Sequence, residues 1–312
     1  MKFIPSILLF FFLLSFSSCS TKTVEPELPD ANPPAPVIPE EPIPEKEKML
    51  WFDAEANFER FSKKENITYY LDLAKSTGFN KIVVDVRPVQ GDALFKSSYL
   101  TPLTDLAGIH IERDWDYLQF FIDEAHKREL KVTVSTTIFT AGLPSSKNGM
   151  AYRDDTWNGK TCLEYTKDQG LIDIKNDKTK VSAFLNPVLP EVQDFCLNFM
   201  KELVTNYDFD GFALDYCRYP GDESDFSETT KVTFEQYIGK QLDRFPDDIF
   251  TWNTDGTKRT GAYYKKWWEF RSMVVRNFVE RVRTEIKPAL TEKTVHEFRT
   301  AKKLTHDKGQ QP

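Results

Sequence analysis

Lys81-Ile82-Val83-Val84-Asp85-Val86-Arg87 is apolar at neighbouring positions as well as at alternating ones. A strand of this kind has no face to give to water, so it suits a parallel sheet covered on both sides. Upstream, Met49 to Asp53 reads as an earlier strand, and Asn66 can cap a helix carrying Tyr70, Leu73 and Ala74 that stops at Gly78. Downstream, Asp114 can cap a helix with Trp115, Leu118, Ile122 and Ala125 on one face. Lys131 to Ile138 is a third strand, rich in β-branched residues. A long irregular stretch follows, and then Val192, Phe195, Cys196, Phe199, Leu203 and Val204 make one helical stripe. Asp210 to Tyr216 is a fourth strand, and Val275, Phe278, Val279, Val282 and Ile286 mark a fourth helix after an insertion. Alternation at this spacing predicts an α/β protein of the (β/α)8 TIM-barrel type, with chemistry at the strand C-termini.

The count of units stops at about four. The fourth helix ends near Lys287, and some 25 residues remain, less than a βα unit of ~30 or more. Residues 293–312 hold no apolar strand run, so 291–312 reads as an irregular tail, in the manner of truncated or out-of-frame coding. The barrel domain is therefore expected over 49–290, as the N-terminal part of a barrel. The alternative is a complete four-unit domain that pairs with another chain.

The first residues have a different character. Lys2 precedes an unbroken apolar run from Ile7 to Leu14, too short to span a bilayer, and Ser17-Ser18-Cys19 resembles a bacterial lipobox. Residues 1–19 read as a lipoprotein signal with Cys19 as the lipidated residue, which places the protein in the cell envelope. Residues 20–48 carry eight of the 18 prolines and six Glu, with no Gly and no aromatic, the composition of a disordered tether.

The chain's 41 basic and 48 acidic side chains give a net charge of −7, which argues against a nucleic-acid partner. There is no dinucleotide fingerprint, phosphate loop, HExxH or GxSxG, and the four Cys have no zinc spacing, so neither cofactor nor metal is expected. The strand ends instead gather Asp53, Glu55, Asp85, Arg87, Asp92, Asp215 and Arg218. Two carboxylates flanking a bond are what glycoside hydrolysis requires, and a nearby Arg keeps one of them ionised. Trp157 and Tyr219, among the loop aromatics, could stack on sugar rings. The plainer reading is that Asp/Arg pairs close barrel layers and loop aromatics form small satellite cores.

Four segments resemble a known family. They are Val86-Arg87-Pro88 through Gly91-Asp92-Ala93 with Ser97-Ser98, Glu124-Ala125-His126-Lys127-Arg128, Leu185-Asn186-Pro187 with Pro190-Glu191-Val192, and Asp210-Gly211-Phe212-Ala213-Leu214-Asp215-Tyr216-Cys217-Arg218. In that order they resemble the family ten glycosyl-hydrolase-like proteins, which belong with the alpha-amylase-like barrels. The resemblance implies an exported, saccharide-processing lipoprotein of the Bacteroidetes type. It implies Asp215 as nucleophile, with Arg218 for charge pairing because Ala213 stands where the amylase clan has Arg. Asp92 is a further catalytic candidate. Arg87, Asp85, Glu55, Asn186, Trp157 and Tyr219 are candidate substrate-binding residues. The clan's acid is a Glu on strand five, which this count of strands leaves out. The expected partners are a poly- or oligosaccharide and, through the lipid, a membrane. No obligate protein partner is inferred. Two functions stand: a glycoside hydrolase, inactive if truncated, or a non-catalytic glycan-binding surface lipoprotein.

Overall fold

The computed structural model describes residues 46–286 and the backbone of 294–296. The expected signal, Cys19 and nearly all of the tether lie outside the described residues, as does most of 287–312.

Five strands form one parallel sheet: β1 (Met49–Phe52), β2 (Lys81–Arg87), β3 (Lys131–Thr137), β4 (Gly211–Asp215) and β5 (Thr294–His296), side by side in chain order. Four helices connect them: α1 (Lys64–Ser76), α2 (Tyr117–His126), α3 (Pro190–Asn206) and, past the insertion, α5 (Tyr264–Glu285). The insertion carries α4 (Glu228–Ile238) and a hairpin of Phe250–Trp252 with Lys258–Thr260.

Four βα units are thus followed by a fifth strand. That strand is a correction to the expected irregular tail. Thr294, Val295 and His296 pair in parallel with Gly211, Phe212 and Ala213. Only Val295 is apolar, so hydrophobic pattern could not reveal it; an edge position supplied by β4 makes it a strand.

Helix boundaries move slightly. Asn66 lies inside α1, whose buried stripe is Ile67, Leu71 and Ala74, while Leu73 is exposed. The cap of α2 is Asp116, whose side chain accepts from Gln119 N at 3.0 Å; Asp114 does not cap it.

Side-chain alternation divides the sheet. Phe52, Ile82, Val84, Val86, Val132, Val134, Phe212 and Leu214 share one hydrophobic core with the buried faces of α1, α2 and α3. The opposite face presents Val83 and Asp85 from β2, Thr133 and Ser135 from β3, and Ala213 and Asp215 from β4. Below it, Asp210 accepts from Val132 N at 2.7 Å and from His126 Nε2 at 2.9 Å, tying the entry of β4 to β3 and α2. A second core gathers Phe226, Phe234, Ile249, Phe250, Trp267 and Phe270 around the insertion.

Candidate active site

The C-terminal ends of β1, β2 and β4 bring four carboxyls together. Asp53 follows β1 directly, and its Oδ1 accepts from Ala56 N at 2.8 Å, which tightens the turn. That turn delivers Glu55, whose Oε1 accepts from Val89 N at 2.9 Å. Asp85 sits on the inner face of β2, paired in register with Ser135. Asp215 ends β4 opposite Thr137, and its Oδ1 accepts from Tyr216 N at 2.8 Å. Tyr216 adopts a left-handed backbone at φ 46, the local strain that turns the chain sharply off the strand end.

The four interact electrically. Burial raises the Glu55 carboxyl above the ordinary range, the Val89 N–H opposes this, and the charges of Asp53 and Asp215 add to it. Burial also raises Asp215, with the Tyr216 N–H and Arg218 pulling the other way and Asp53 pushing up. Asp85 is raised well above, first by burial and then by Asp215 and Asp53; Ser135 eases it, and Glu55 adds to it. The Arg218 guanidinium lies 5.0 Å over the ring of Tyr216, beside Asp215. An open cavity of about 410 Å³, within the usual size of small-molecule sites, adjoins the cluster and is lined by Glu55, Phe58, Arg60, Lys63, Asn66 and Ile109 among others. Among the described residues, no group of three His, Cys, Asp or Glu is placed to hold a metal ion.

Asp215, Arg218, Glu55 and Asp85 therefore meet, and Asp53 joins them. Five other candidates do not. Arg87 is fully buried, with its guanidinium donating to the carbonyls of Thr137 at 2.5 Å and Thr140 at 2.9 Å and lying 5.0 Å from the Phe199 ring centroid, on the α3 side. Burial pushes it down to about 10. Asp92 is enclosed with Gln90 Nε2 at 2.9 Å and Arg153 Nη2 at 2.6 Å. Asn186 is buried, donating to Asp225 Oδ2 at 2.7 Å and Thr230 Oγ1 at 3.0 Å. Trp157 packs edge-on against Phe195 at 4.7 Å, and Tyr219 lies under the Arg271 guanidinium at 4.4 Å. Each is held by protein groups away from the four carboxyls. Asp53 was already legible as the acid that follows the first strand. The reach of the Asp85 and Asp53 charges to the buried Tyr117 of α2 had no signal in the sequence.

A family model described as glycosyl hydrolase-like 10 matches residues 47–295, nearly all of the described chain. The chain belongs to the glycosyl hydrolase-like 10 family. It is 35% identical over 249 residues to an S-layer-related protein of Niallia circulans, covering 76% of this chain and 15% of that one. It is 30% identical over 164 residues to the glycosyl hydrolase DigH of Escherichia coli strain K12, covering 51% of this chain and 36% of that one. The chain thus spans a minority of the length of these relatives. Among solved structures, the glycoside hydrolase domain of PgaB (BpsB) from Bordetella bronchiseptica is similar at a TM-score of 0.55 and 13% identity, covering 80% of this chain and 64% of that one. At that identity the likeness speaks for the α/β fold alone.

Proposed function

We propose that this glycosyl hydrolase-like 10 chain acts on a poly- or oligosaccharide by carboxylate acid/base chemistry, at the strand C-termini of a (β/α)8-type barrel. The observation that carries this reading is the convergence of Glu55, Asp53, Asp85 and Asp215 from three strands. Asp215 is the nucleophile or base, because Arg218 and the Tyr216 N–H favour its ionised form. Glu55 is the acid: burial favours its proton, and it borders the open cavity. Its proton passes to the glycosidic oxygen as the C–O bond breaks, while Asp215 bonds the anomeric carbon or takes a proton from the attacking water. The chain's place is the cell envelope, through a lipid on Cys19, supported by the apolar run and the small residues before it.

Reducing-end release from a panel of polysaccharides tests the chemistry. Wild-type protein should release reducing ends, and Asp215→Asn should slow this by roughly 10²–10⁴-fold. Glycan binding without release, equal in both proteins, would refute the hydrolase and return the non-catalytic glycan-binding reading. For the anchor, Cys19→Ala should move the protein from the membrane to the soluble exported fraction.

A further inference from the structure

Asp85 and Arg87 stand two apart on β2, where alternation alone would place them on one face. They are separated by a bulge. The register steps from Asp85↔Ser135 to Arg87↔Thr136, so Val86 is an extra residue. Arg87 is thereby turned to α3 and the carbonyls of Thr137 and Thr140. Asp85 remains on the inner face without the cation its sequence neighbour would have given it. It is 7% exposed, and its Oδ1 has no hydrogen-bond partner among the described residues.

The groups around Asp85 are mostly acidic or neutral. Asp53 and Glu55 act on it from β1 and its turn and Asp215 from the end of β4, Ser135 stands beside it in register on β3, and the phenols of Tyr216 and Tyr117 feel its charge. Both nearby arginines are engaged elsewhere. Arg218 sits over Tyr216 beside Asp215, and Arg113 lies between the rings of Phe58 and Tyr117 at 5.0 and 5.4 Å. Lys81, at the base of the same strand, pairs with Glu47 at 2.5 Å. A buried carboxylate without a cation is costly enough that it keeps its proton instead.

We infer that Asp85 is a buried carboxyl that keeps its proton after Asp215 has ionised, a neutral acid beneath the mouth. Its role in turnover rests on the hydrolase reading above; its protonation does not. The order of ionisation follows from the neighbours. Asp215 loses its proton with Arg218 to help and Asp53 to oppose, whereas Asp85 would do so against Asp215, Asp53 and Glu55 together. A neutral Asp85 spares the mouth one negative charge, so that Asp215 can carry its own.

The test is a carbon-detected NMR titration of side-chain carboxyls in the full chain, for wild type, Asp85→Asn and Asp215→Asn. Asp85 should titrate above the ordinary aspartate midpoint of ~3.9 and after Asp215. Its midpoint should fall in Asp215→Asn, which removes a neighbouring charge. In Asp85→Asn, already neutral, Asp215 should titrate as in wild type. An Asp85 that ionises before Asp215, or is indifferent to Asp215→Asn, overturns the inference. Should Asp85→Asn fail to fold, Asp215→Asn alone still decides. Hydrolysis is assayed in parallel: no turnover by wild type, with the expected titration order, supports the inference while refuting the hydrolase.

Discussion

Glu55, Asp85 and Asp215 each hold a proton more tightly in the folded chain than an exposed carboxyl would, chiefly through burial. Their linkage to stability has a definite sign. A carboxyl raised by folding contributes stability that is complete below its unfolded midpoint, ~4, and is lost as pH rises through the folded value. Wild-type thermal stability should therefore decline above that range through these groups. Asp85→Asn has no proton to lose there. Its melting temperature, followed by circular dichroism, should gain on wild type between acidic and neutral pH. A constant difference between the two proteins across that interval would mean that Asp85 is not shifted by folding. Gly149 is a residue with one permitted identity. Its φ is 104, and a Cβ there would collide with the Gln90 carbonyl oxygen. Gly149→Ala should cost more than about 2 kcal/mol in urea denaturation, because backbone cannot yield as a flexible side chain would.

At the scale of elements, the bulge of β2 sets what each side of the sheet receives. Arg87→Met keeps much of the bulk and removes the donors to the Thr137 and Thr140 carbonyls, which should destabilise the chain by about 2–4 kcal/mol in the same assay. The inner carboxyls should keep their titration order, since Arg87 does not face them. This element also marks the limit of what the sequence disclosed. β1 to β4 and the connecting helices were legible because each carries its own apolar run or stripe. Asp215, Arg218, Glu55 and Asp85 were legible as strand ends. The turn of Arg87 away from the carboxyls was not legible, because a bulge leaves no composition signal; it is visible only in the register of two strands 50 residues apart. The partners of Asn186, Trp157 and Tyr219 were not legible for a related reason, since Asp225, Phe195 and Arg271 come from other segments. β5 stayed hidden because its pairing, and not its residues, makes it a strand.

At the scale of the whole molecule, β1 is an outer strand, with no further strand on its far side among the described residues. Met49 on it is 37% exposed. Such an edge is a template for pairing with another chain, and a charged side chain blunts it. Sedimentation velocity should show concentration-dependent association of the wild type and a larger monomer fraction for Met49→Lys; equal distributions would exonerate the edge. A different property resides in α5. Its first half gives Trp267, Phe270 and Val274 to the insertion's core, and its second half gives Phe278, Val282 and Ile286's neighbourhood to the main one. Trp267 is fully enclosed, stacked 5.0 Å from Phe226. One continuous rod thus serves both cores, so the insertion should not exchange its amides as an independent unit. Protection would spread along α5, and the quenching or release of Trp267 fluorescence would report, from outside the mouth, whether the chain is still holding its strand ends in place.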